Sequence, residues 1–337
     1  MMHAFISVSL LGAMLLIVNN ANSQDAEYPG NPVVSGGSIV VAMEGVRVYD
    51  VSDLSLQWKK FQELDVDSIV IDKNTIYASS NIGVHSLRLK DGNQNWLHSL
   101  PGRAFGAVVH NNISYLTDDT GHLVALDAQS GKMLWQRTFS QWVYPPAIHN
   151  ENLYLGGREG MLYVINAEDG RIVWQKELHQ ELVNHPVVTQ GGEIIITLFS
   201  GVTQLLESKT GEIKWSHNDG VASQSPLISS RRLYFPGFDG VLRVRSESSG
   251  DLIWQQKTHD ALSLLPLVNS KYVVVSDQNG ETVRLDPETG ALLERFTLGS
   301  GTTLSPIQRK HHLLWFSTSA NSYGEEARVI LTSRDID

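Results

Sequence analysis

Apolar and polar residues alternate along short segments of this chain, and the pattern returns about every 40 residues. In the clearest copy, an apolar stretch begins at Leu123, a polar turn ends at Gly131, and a second apolar segment leads to Trp135. Alternation with a period of two is typical of half-buried strands, and glycine supplies the positive φ that a tight turn requires. The pattern therefore predicts a β-hairpin that is repeated along the chain.

Tryptophan marks one position of this repeat. Six tryptophans follow one another at intervals of 38, 39, 39, 41 and 39 residues: Trp58, Trp96, Trp135, Trp174, Trp215 and Trp254. All but the first stand four residues after a glycine, and a seventh copy has Gly290 with Glu294 in place of tryptophan. A large flat side chain on an outer strand can fill the gap between adjacent sheets. We therefore expect these tryptophans to be structural.

Each copy also contains two earlier strands. The innermost strand starts recur eight times, at intervals of 36 to 40 residues: Pro32, Ser68, Ala107, Pro146, Pro186, Pro226, Pro266 and Pro306. Four short strands per copy predict an all-β fold, an eight-bladed β-propeller, with seven blades and an extra flap as the alternative. The last copy lacks an outer strand, and we expect the segment Asp25 to Gly30 to supply it.

The N-terminus has the pattern of an export signal. An apolar run from Phe5 to Val18 precedes small residues at Ala21 and Ser23. This pattern predicts a signal peptide over residues 1–23, cleavage near Ser23, and one propeller domain over residues 24–337. Because the segment before the run has no Lys or Arg, an uncleaved anchor is the alternative. The prediction is a periplasmic or secreted, monomeric protein with no transmembrane segment in the mature chain.

Charge and composition narrow the possible functions. The formal net charge is −10, which disfavours nucleic acid and anionic lipid as partners. With no cysteine, the chain can form no disulfide, thiolate nucleophile, Cys-ligated metal site or lipid-modified N-terminus. We find no Gly-rich phosphate loop, no Gly-x-Ser-x-Gly elbow and no paired carboxylates. The sequence therefore favours a non-catalytic protein with neither metal nor cofactor.

The repeat resembles a known family. Its pattern AxDxxxGxxxW, seen at Ala125, Asp127, Gly131 and Trp135, resembles the tryptophan-docking motif of the PQQ-like, quinoprotein-type eight-bladed propellers. The resemblance extends from about Pro32 to Thr332. In one branch, the quinoprotein alcohol dehydrogenases, PQQ packs against a disulfide between adjacent cysteines, which this chain cannot form.

The second branch contains small exported propellers of the BamB type, which serve outer-membrane protein assembly. This chain is similar to them in size, signal and architecture. It departs from them in lacking the lipobox cysteine and in having a short connection from Leu178 to Pro186. The resemblance implies a scaffold for protein–protein interaction in the cell envelope. A redox-active propeller that binds PQQ, another quinone or a small ligand is the alternative, and a glycan-binding accessory protein is a third interpretation.

Candidate binding residues lie where the connections between sheets meet the turns between second and third strands. Trp142 and Tyr144 fall outside the repeat, and an exposed aromatic pair with Arg158 nearby has the composition of a binding hot spot. Packing of the pair against the neighbouring loop is the alternative. Asp67 and His185 share one repeat position, just before an innermost strand, and are expected at the mouth of the channel. Two such groups are too few for a metal site.

Overall fold

The structure is a computed structural model that describes residues 3–8, 15–20, 30–258, 261–262, 264–277, 280–297, 307–309, 312–318 and 329–335. Within these ranges every regular element is a β-strand, and within each sheet consecutive strands pair antiparallel. The chain divides into a first unit, Met1–Ser225, and a second unit, Pro226–Asp337. Short strands joined by short turns are what the hydrophobic pattern predicts.

The first unit contains a strand pair and five four-stranded sheets. The pair consists of β1 (His3–Val8) and β2 (Leu15–Asn20). Sheets 1 and 2 are built from β3 (Gly30–Ser35), β4 (Ser38–Ala42), β5 (Val46–Asp50), β6 (Leu56–Lys60), β7 (Val66–Asp72), β8 (Thr75–Ser80), β9 (Gly83–Arg88) and β10 (Gln94–His98). Sheets 3 and 4 follow with β11 (Ala104–His110), β12 (Ile113–Asp118), β13 (His122–Asp127), β14 (Met133–Thr138), β15 (Ala147–His149), β16 (Asn152–Gly156), β17 (Met161–Asn166) and β18 (Ile172–Glu177). Sheet 5 consists of β19 (Val187–Val188), β20 (Ile194–Thr197), β21 (Val202–Leu206) and β22 (Ile213–Asn218).

The second unit contains two further four-stranded sheets and one sheet of three strands. Sheets 6 and 7 are built from β23 (Leu227–Ser229), β24 (Arg232–Pro236), β25 (Val241–Ser246), β26 (Leu252–Lys257), β27 (Leu267–Val268), β28 (Val273–Ser276), β29 (Glu281–Leu285) and β30 (Leu292–Thr297). Sheet 8 consists of β31 (Ile307–Arg309), β32 (His312–Thr318) and β33 (Val329–Asp335). The described residues thus form seven complete sheets rather than the eight predicted. The segment Asp25 to Gly30, expected to complete the last sheet, lies outside the described residues except for Gly30, which begins β3.

In the four-stranded sheets, the outer strand is less buried than the second and third strands. In sheet 3, every residue of β12 after Ile113 is buried, whereas β14 alternates between exposed and half-buried residues. A strand that is covered on both faces has a continuous apolar sequence, whereas a strand with one face in solvent alternates between apolar and polar residues. This difference explains why the period-two signal is strongest around the outer hairpin.

The outer hairpin fixes the position of each tryptophan. In sheet 3, Gly131 has φ of 72°, and its N–H donates to Asp127 O at 2.8 Å to close the turn. The register between β13 and β14 shifts between Ala125 and Leu126, which marks a β-bulge beside Trp135. The same shift recurs at the outer strand of every four-stranded sheet.

Five of the motif glycines also pack against an indole from the preceding sheet: Gly92, Gly131, Gly170, Gly211 and Gly290. Trp96 Nε1 donates to Ala128 O at 3.0 Å, and a Cβ added at Gly131 would lie 2.6 Å from the Trp96 ring. The equivalent hydrogen bonds measure 2.9–3.1 Å and join four more pairs: Trp58 to Leu89, Trp135 to Ala167, Trp174 to Ser208, and Trp254 to Pro287. Glycine is therefore needed for the turn and for the approach of the ring.

A second contact between sheets comes from cations two residues after the tryptophan. Arg137 Nε donates to Gly170 O at 2.7 Å, and Lys176 Nζ donates to Gly211 O at 2.6 Å. Sequence reasoning missed these residues, because an exposed cation on an edge strand has an ordinary explanation as protection against strand pairing.

Candidate functional site on the loop face

One surface of the first unit is formed by connections and turns that hydrogen-bond to each other. In sheets 2 to 5, the residue that opens the turn between the second and third strands donates its N–H to the connection before the first strand: Asn81 to Asp65, Asp119 to Arg103, Arg158 to Trp142, and Phe199 to Glu181. We call the surface made by residues 61–67, 81–82, 99–105, 118–121, 139–146, 157–160, 178–186, 198–201 and 219–225 the loop face. Its backbone is fixed by these bonds, so its side chains are held in defined places.

Trp142 lies at the centre of an aromatic cluster on the loop face. Its ring stacks on Phe105, with centroids 4.7 Å apart and planes inclined at 27°. The guanidinium carbon of Arg158 lies 3.9 Å from the Trp142 ring centroid, and Tyr144 meets the ring edge at 5.9 Å. A cation over an indole and a stacked aromatic pair each contribute favourably to the packing of the two loops. Trp142 and Arg158 remain half-buried.

The close approach of two backbones holds this cluster together. Val143 pairs with Gly157 in an isolated bridge, and a Cβ added at Gly157 would lie 2.4 Å from Trp142 O. Only glycine permits that distance, so the turn that carries Arg158 is pressed against the connection that carries Trp142. Tyr144 is 1% exposed, and its hydroxyl donates to Leu182 O at 3.4 Å. Burial raises the pKa of Tyr144 to about 12, while the charge of Arg158 acts in the opposite direction.

Arg158 has no counter-charge among the described residues. It takes part in none of the ion pairs that they form, and its Nε and the Nε1 of Trp142 are buried without an acceptor in that part of the chain. The adjacent carboxylate of Glu159 receives the hydroxyls of Ser140 and Tyr163 instead. The side chain of Arg158 hydrogen-bonds that of Tyr144, so a cation–π contact, a ring stack and a hydrogen bond hold the cluster together.

Arg103, on the neighbouring sheet, is fully paired. Its Nε donates to Asp67 Oδ2 at 2.6 Å, its Nη2 donates to the other oxygen of the same carboxylate, and its Nη1 lies 3.4 Å from Asp65. Burial raises the pKa of Asp67 to about 6, while the hydrogen bonds and charge of Arg103 lower it. The two-pronged geometry is that of an ionised carboxylate on a guanidinium. This pair ties sheet 2 to sheet 3.

His185 belongs to a buried polar network between two connections. Its Nδ1 and its backbone N–H both lie 2.7 Å from Asn184 Oδ1, and Asn184 Nδ2 donates to Gln224 Oε1 at 3.2 Å. Ser225 Oγ donates to His185 O at 2.8 Å. Since Asn184 Oδ1 can only accept, His185 donates from a protonated Nδ1. Burial lowers the pKa of His185 to about 4.

These positions correct part of the sequence prediction. Tyr144, expected in an exposed pair, is buried, because it fills the space beneath the next connection. Asp67 and His185 are 4% and 2% exposed: Asp67 binds Arg103 and His185 Nδ1 binds Asn184 inside the protein, while His185 Nε2 is buried without a partner in the described chain. Trp142 and Arg158 lie together, and Phe105 joins them although nothing in the sequence distinguished it from an ordinary core phenylalanine.

Neither a metal cluster nor a membrane-spanning helix is found in the described part of the chain. No group of three His, Asp or Glu side chains there could hold a metal ion. No helix in the same residues has the length and hydrophobicity that crossing a bilayer requires.

Comparison with solved structures identifies the class. The crystal structure of BamB from Moraxella catarrhalis matches with a TM-score of 0.72 and 17% identity, over 92% of this chain and 95% of that one. The computationally designed Ika8 protein matches with a TM-score of 0.77 and 15% identity, over 86% and 93%. A europium-containing methanol dehydrogenase matches with a TM-score of 0.66 and 12% identity, over 90% and 85%. The predicted class, an all-β propeller, is confirmed.

Sequence comparison identifies the family. The model described as outer membrane protein assembly factor BamB matches residues 101–147, 119–261 and 238–323, which together exceed half of the chain. The chain therefore belongs to this PQQ-like, BamB-type propeller family. The outer membrane protein assembly factor BamB of Legionella pneumophila (strain Paris) is 28% identical over 127 residues, 37% of this chain. The match spans about a third of the length of that curated relative, 33%.

Proposed function

We propose that this protein is a non-catalytic scaffold that binds a protein partner in the cell envelope through the loop face, in outer-membrane protein assembly. The family membership supports the general role. The choice of surface rests on one observation, the half-buried Trp142 held between Phe105 and Arg158. Tryptophan and arginine in a rigid, partly exposed cluster are the residue types that dominate binding energy at protein interfaces.

We assign supporting roles to the other residues that the sequence analysis singled out. Tyr144, Asp67 and His185 Nδ1 hold the connections in place from below, through their hydrogen bonds to Leu182, Arg103 and Asn184. The six repeat tryptophans have a structural role and do not contact the partner. A protein of this kind needs no cofactor and acts as a monomer.

Export is part of the proposal. Residues 1–23 act as a signal peptide, and the mature protein is periplasmic or secreted. Sequencing the N-terminus of protein purified from an envelope fraction tests this step. A mature chain that begins at or near Gln24 supports export with cleavage, whereas a chain that retains residues 1–23 contradicts it.

Eight blades also belong to the proposal. Sheet 8 has three strands, and a strand from residues 25–29 would complete it and cover its free edge. A truncation that begins the mature chain at Gly30 then lowers the melting temperature by several degrees, in line with the loss of one short strand. Unchanged melting of the truncated chain argues for seven complete blades.

Partner capture tests the loop face directly. The mature protein, immobilised on beads, is incubated with envelope extract and cross-linked, and captured proteins are compared between wild type and Trp142→Ala. Leu134→Ala is the matched control, since Leu134 is 50% exposed on the outer strand β14 of sheet 3. Loss of the same proteins with Trp142→Ala alone supports the site. An identical set for all three chains contradicts it.

A redox role predicts a different experimental result. A propeller that holds PQQ or another quinone acquires its absorbance and passes electrons to a dye when quinone and calcium are added. Neither is expected here, because the chain has no cysteine pair to pack against such a ring. A quinone spectrum that survives gel filtration would replace the scaffold with the redox alternative.

A further inference from the structure

The loop face carries more negative charge than the rest of the first unit. Its residues include eight Asp or Glu and two Arg, whereas the remainder of residues 1–225 contains fifteen Asp or Glu and twelve Lys or Arg. The ten charged residues of the loop face are Glu63, Asp65, Asp67, Asp118, Asp119, Glu159, Glu181, Asp219, Arg103 and Arg158. The acidity of the first unit is therefore concentrated on the surface that we propose for partner binding.

The two arginines of the loop face are already engaged within the protein. Arg103 binds both carboxylate oxygens of Asp67. Arg158 lies over the Trp142 ring and hydrogen-bonds the side chain of Tyr144. Neither cation is therefore available to a partner without the loss of a contact inside the protein.

Three exposed carboxylates of the loop face, in contrast, form no ion pair. Glu63, Asp119 and Glu181 are exposed and take part in none of the ion pairs between described residues. They belong to three separate segments: the connection before sheet 2, a turn of sheet 3 and the connection before sheet 5. A partner that brings cations to these segments would meet unpaired negative charge on each of them.

The pKa values of two buried groups respond to the negative charge of this surface. Burial raises the pKa of Asp67 to about 6 against the opposing effect of its ion pair, and the charges of Asp65 and Asp119 add to the rise. Burial raises the pKa of Tyr144 to about 12, and the charge of Glu181 acts in the same direction. The carboxylates therefore lie close enough to these groups to create a shared negative field.

Apolar side chains belong to the same surface. Ile82, in a turn of sheet 2, is 40% exposed, and Val221, in the connection that follows sheet 5, is 36% exposed. The half-buried Trp142 ring lies in the connection before sheet 4. Protein interfaces combine an apolar centre with a polar rim. The loop face offers both parts, and its polar part is acidic.

We propose that the protein partner docks on the loop face with a basic surface, in which Lys or Arg side chains surround an apolar contact. The proposal rests on the function proposed above and names the chemistry of the partner. Complementary charges at the rim of an interface speed association and disfavour partners of the wrong charge. Nucleic acid and anionic lipid would be repelled by the same carboxylates.

A library of random peptides displayed on phage tests this chemistry before the partner is known. Phage that bind the variant Glu63→Gln/Asp119→Asn/Glu181→Gln, the loop-face triple variant, are removed first, and the remainder are selected on the intact mature protein. Asp119→Asn keeps the oxygen that accepts the N–H of Arg103, so the connection stays in place. The expected peptides carry Lys or Arg beside an apolar residue. No enrichment, or enrichment of acidic or neutral peptides, overturns the proposal.

The association rate of one enriched peptide makes the test quantitative. Surface plasmon resonance on the immobilised chain should show association about tenfold slower for the loop-face triple variant than for the wild type, because the removed charges act mainly on the encounter. The difference should shrink as salt is added, since salt screens exposed charges. Equal association rates for the two chains contradict the proposal.

A matched variant separates the loop face from the net charge of the protein. Glu151→Gln/Glu168→Gln/Glu212→Gln removes the same number of exposed carboxylates from turns of sheets 4 and 5 that lie outside the loop face. Its association rate with the peptide should stay within about twofold of the wild type. An equal loss for both triple variants would mean that the peptide responds only to net charge, which contradicts the proposal.

Capture from envelope extract distinguishes this proposal from the function on which it rests. The loop-face triple variant should lose the partner that the wild type retains. If Trp142→Ala loses that partner but the loop-face triple variant keeps it in full, the scaffold function stands and the basic surface is wrong. If neither variant loses a partner, the loop face itself is the wrong surface.

Discussion

Tryptophans occupy two different environments in this protein. Trp135 stands in the repeat, donates its N–H to Ala167 O at 3.1 Å, and lays its ring on Gly170 of the next sheet. Trp142, seven residues later in the chain, contacts Phe105, Tyr144 and Arg158, and its N–H has no acceptor among the described residues. The first indole uses its ring and its donor within the fold. The second buries its donor without an acceptor in the described chain and leaves its ring half-buried on the loop face.

This difference indicates that different residues of a repeat protein serve stability and recognition. A residue that recurs at the same position in each sheet can be used only for what all sheets share, which is packing on the next sheet. A residue outside the repeat has no equivalent elsewhere and can serve one partner. The expected consequence is that repeat tryptophans affect stability and Trp142 affects binding.

The largest expected effect is on stability. Trp135→Ala removes the ring that covers Gly170 together with a hydrogen bond, and should lower the free energy of unfolding by about 3–5 kcal/mol. Trp142→Ala should cost less, about 1–2 kcal/mol, because its N–H has no acceptor to lose among the described residues and its ring packs against loops that can adjust. Urea unfolding, followed by circular dichroism, measures both. Equal losses for the two variants would remove the distinction.

Titration of His185 gives the second effect. The folded pKa is about 4 and the unfolded value about 6.5, so the unfolded chain binds the extra proton first as pH falls. Stability is therefore complete above pH 6.5 and decreases between about pH 6.5 and pH 4, by about 3 kcal/mol at most. His185→Gln cannot titrate and should lack this component. Unfolding curves across the range measure it, and parallel pH profiles for both chains would argue against a buried neutral histidine.

The buried ion pair gives the third effect and sharpens the contrast between the arginines. Asp67→Asn leaves Arg103 without its main counter-charge and should cost about 2–3 kcal/mol, less than for a fully buried pair because Arg103 remains 25% exposed. Arg158→Gln should change stability by less than about 1 kcal/mol, since no ion pair is lost. Thermal melting compares the two variants. A larger loss with Arg158→Gln would mean that it is the structural arginine.

The sequence predicted the repeat well because each copy carries its own local signals. Glycine before tryptophan, the polar turn and the alternating outer hairpin are all short-range, and they placed the innermost strands of all eight copies. The last copy has no such signal for a fourth strand, and the described residues form three strands there. Trp142 stood out for the opposite reason, as a tryptophan that departs from the spacing.

What the sequence missed depends on contacts between distant residues. Phe105 and Trp142 are separated by 37 positions, and their stacking exists only once sheets 3 and 4 lie side by side. Tyr144 looked exposed because it precedes two prolines in a connection, but it fills the space beneath Leu182. The pairing of Arg103 with Asp67 joins two sheets and has no local pattern. The composition of the site was therefore predicted more accurately than the exposure of its members.

The smallest expected effect concerns the cation two residues after the tryptophan. Arg137→Met keeps most of the apolar length of the side chain but removes the hydrogen bond from Nε to Gly170 O, and should lower the free energy of unfolding by about 1 kcal/mol. Arg137→Lys is the matched control, because Lys176 makes the equivalent contact with Gly211 O in the next sheet. Urea unfolding of the three chains measures the difference. If the lysine variant is as stable as the wild type and the methionine variant is less stable, the cation forms a second contact between the sheets in addition to the indole. Equal stability of all three chains would leave Trp135 as the main contact between sheet 3 and Gly170.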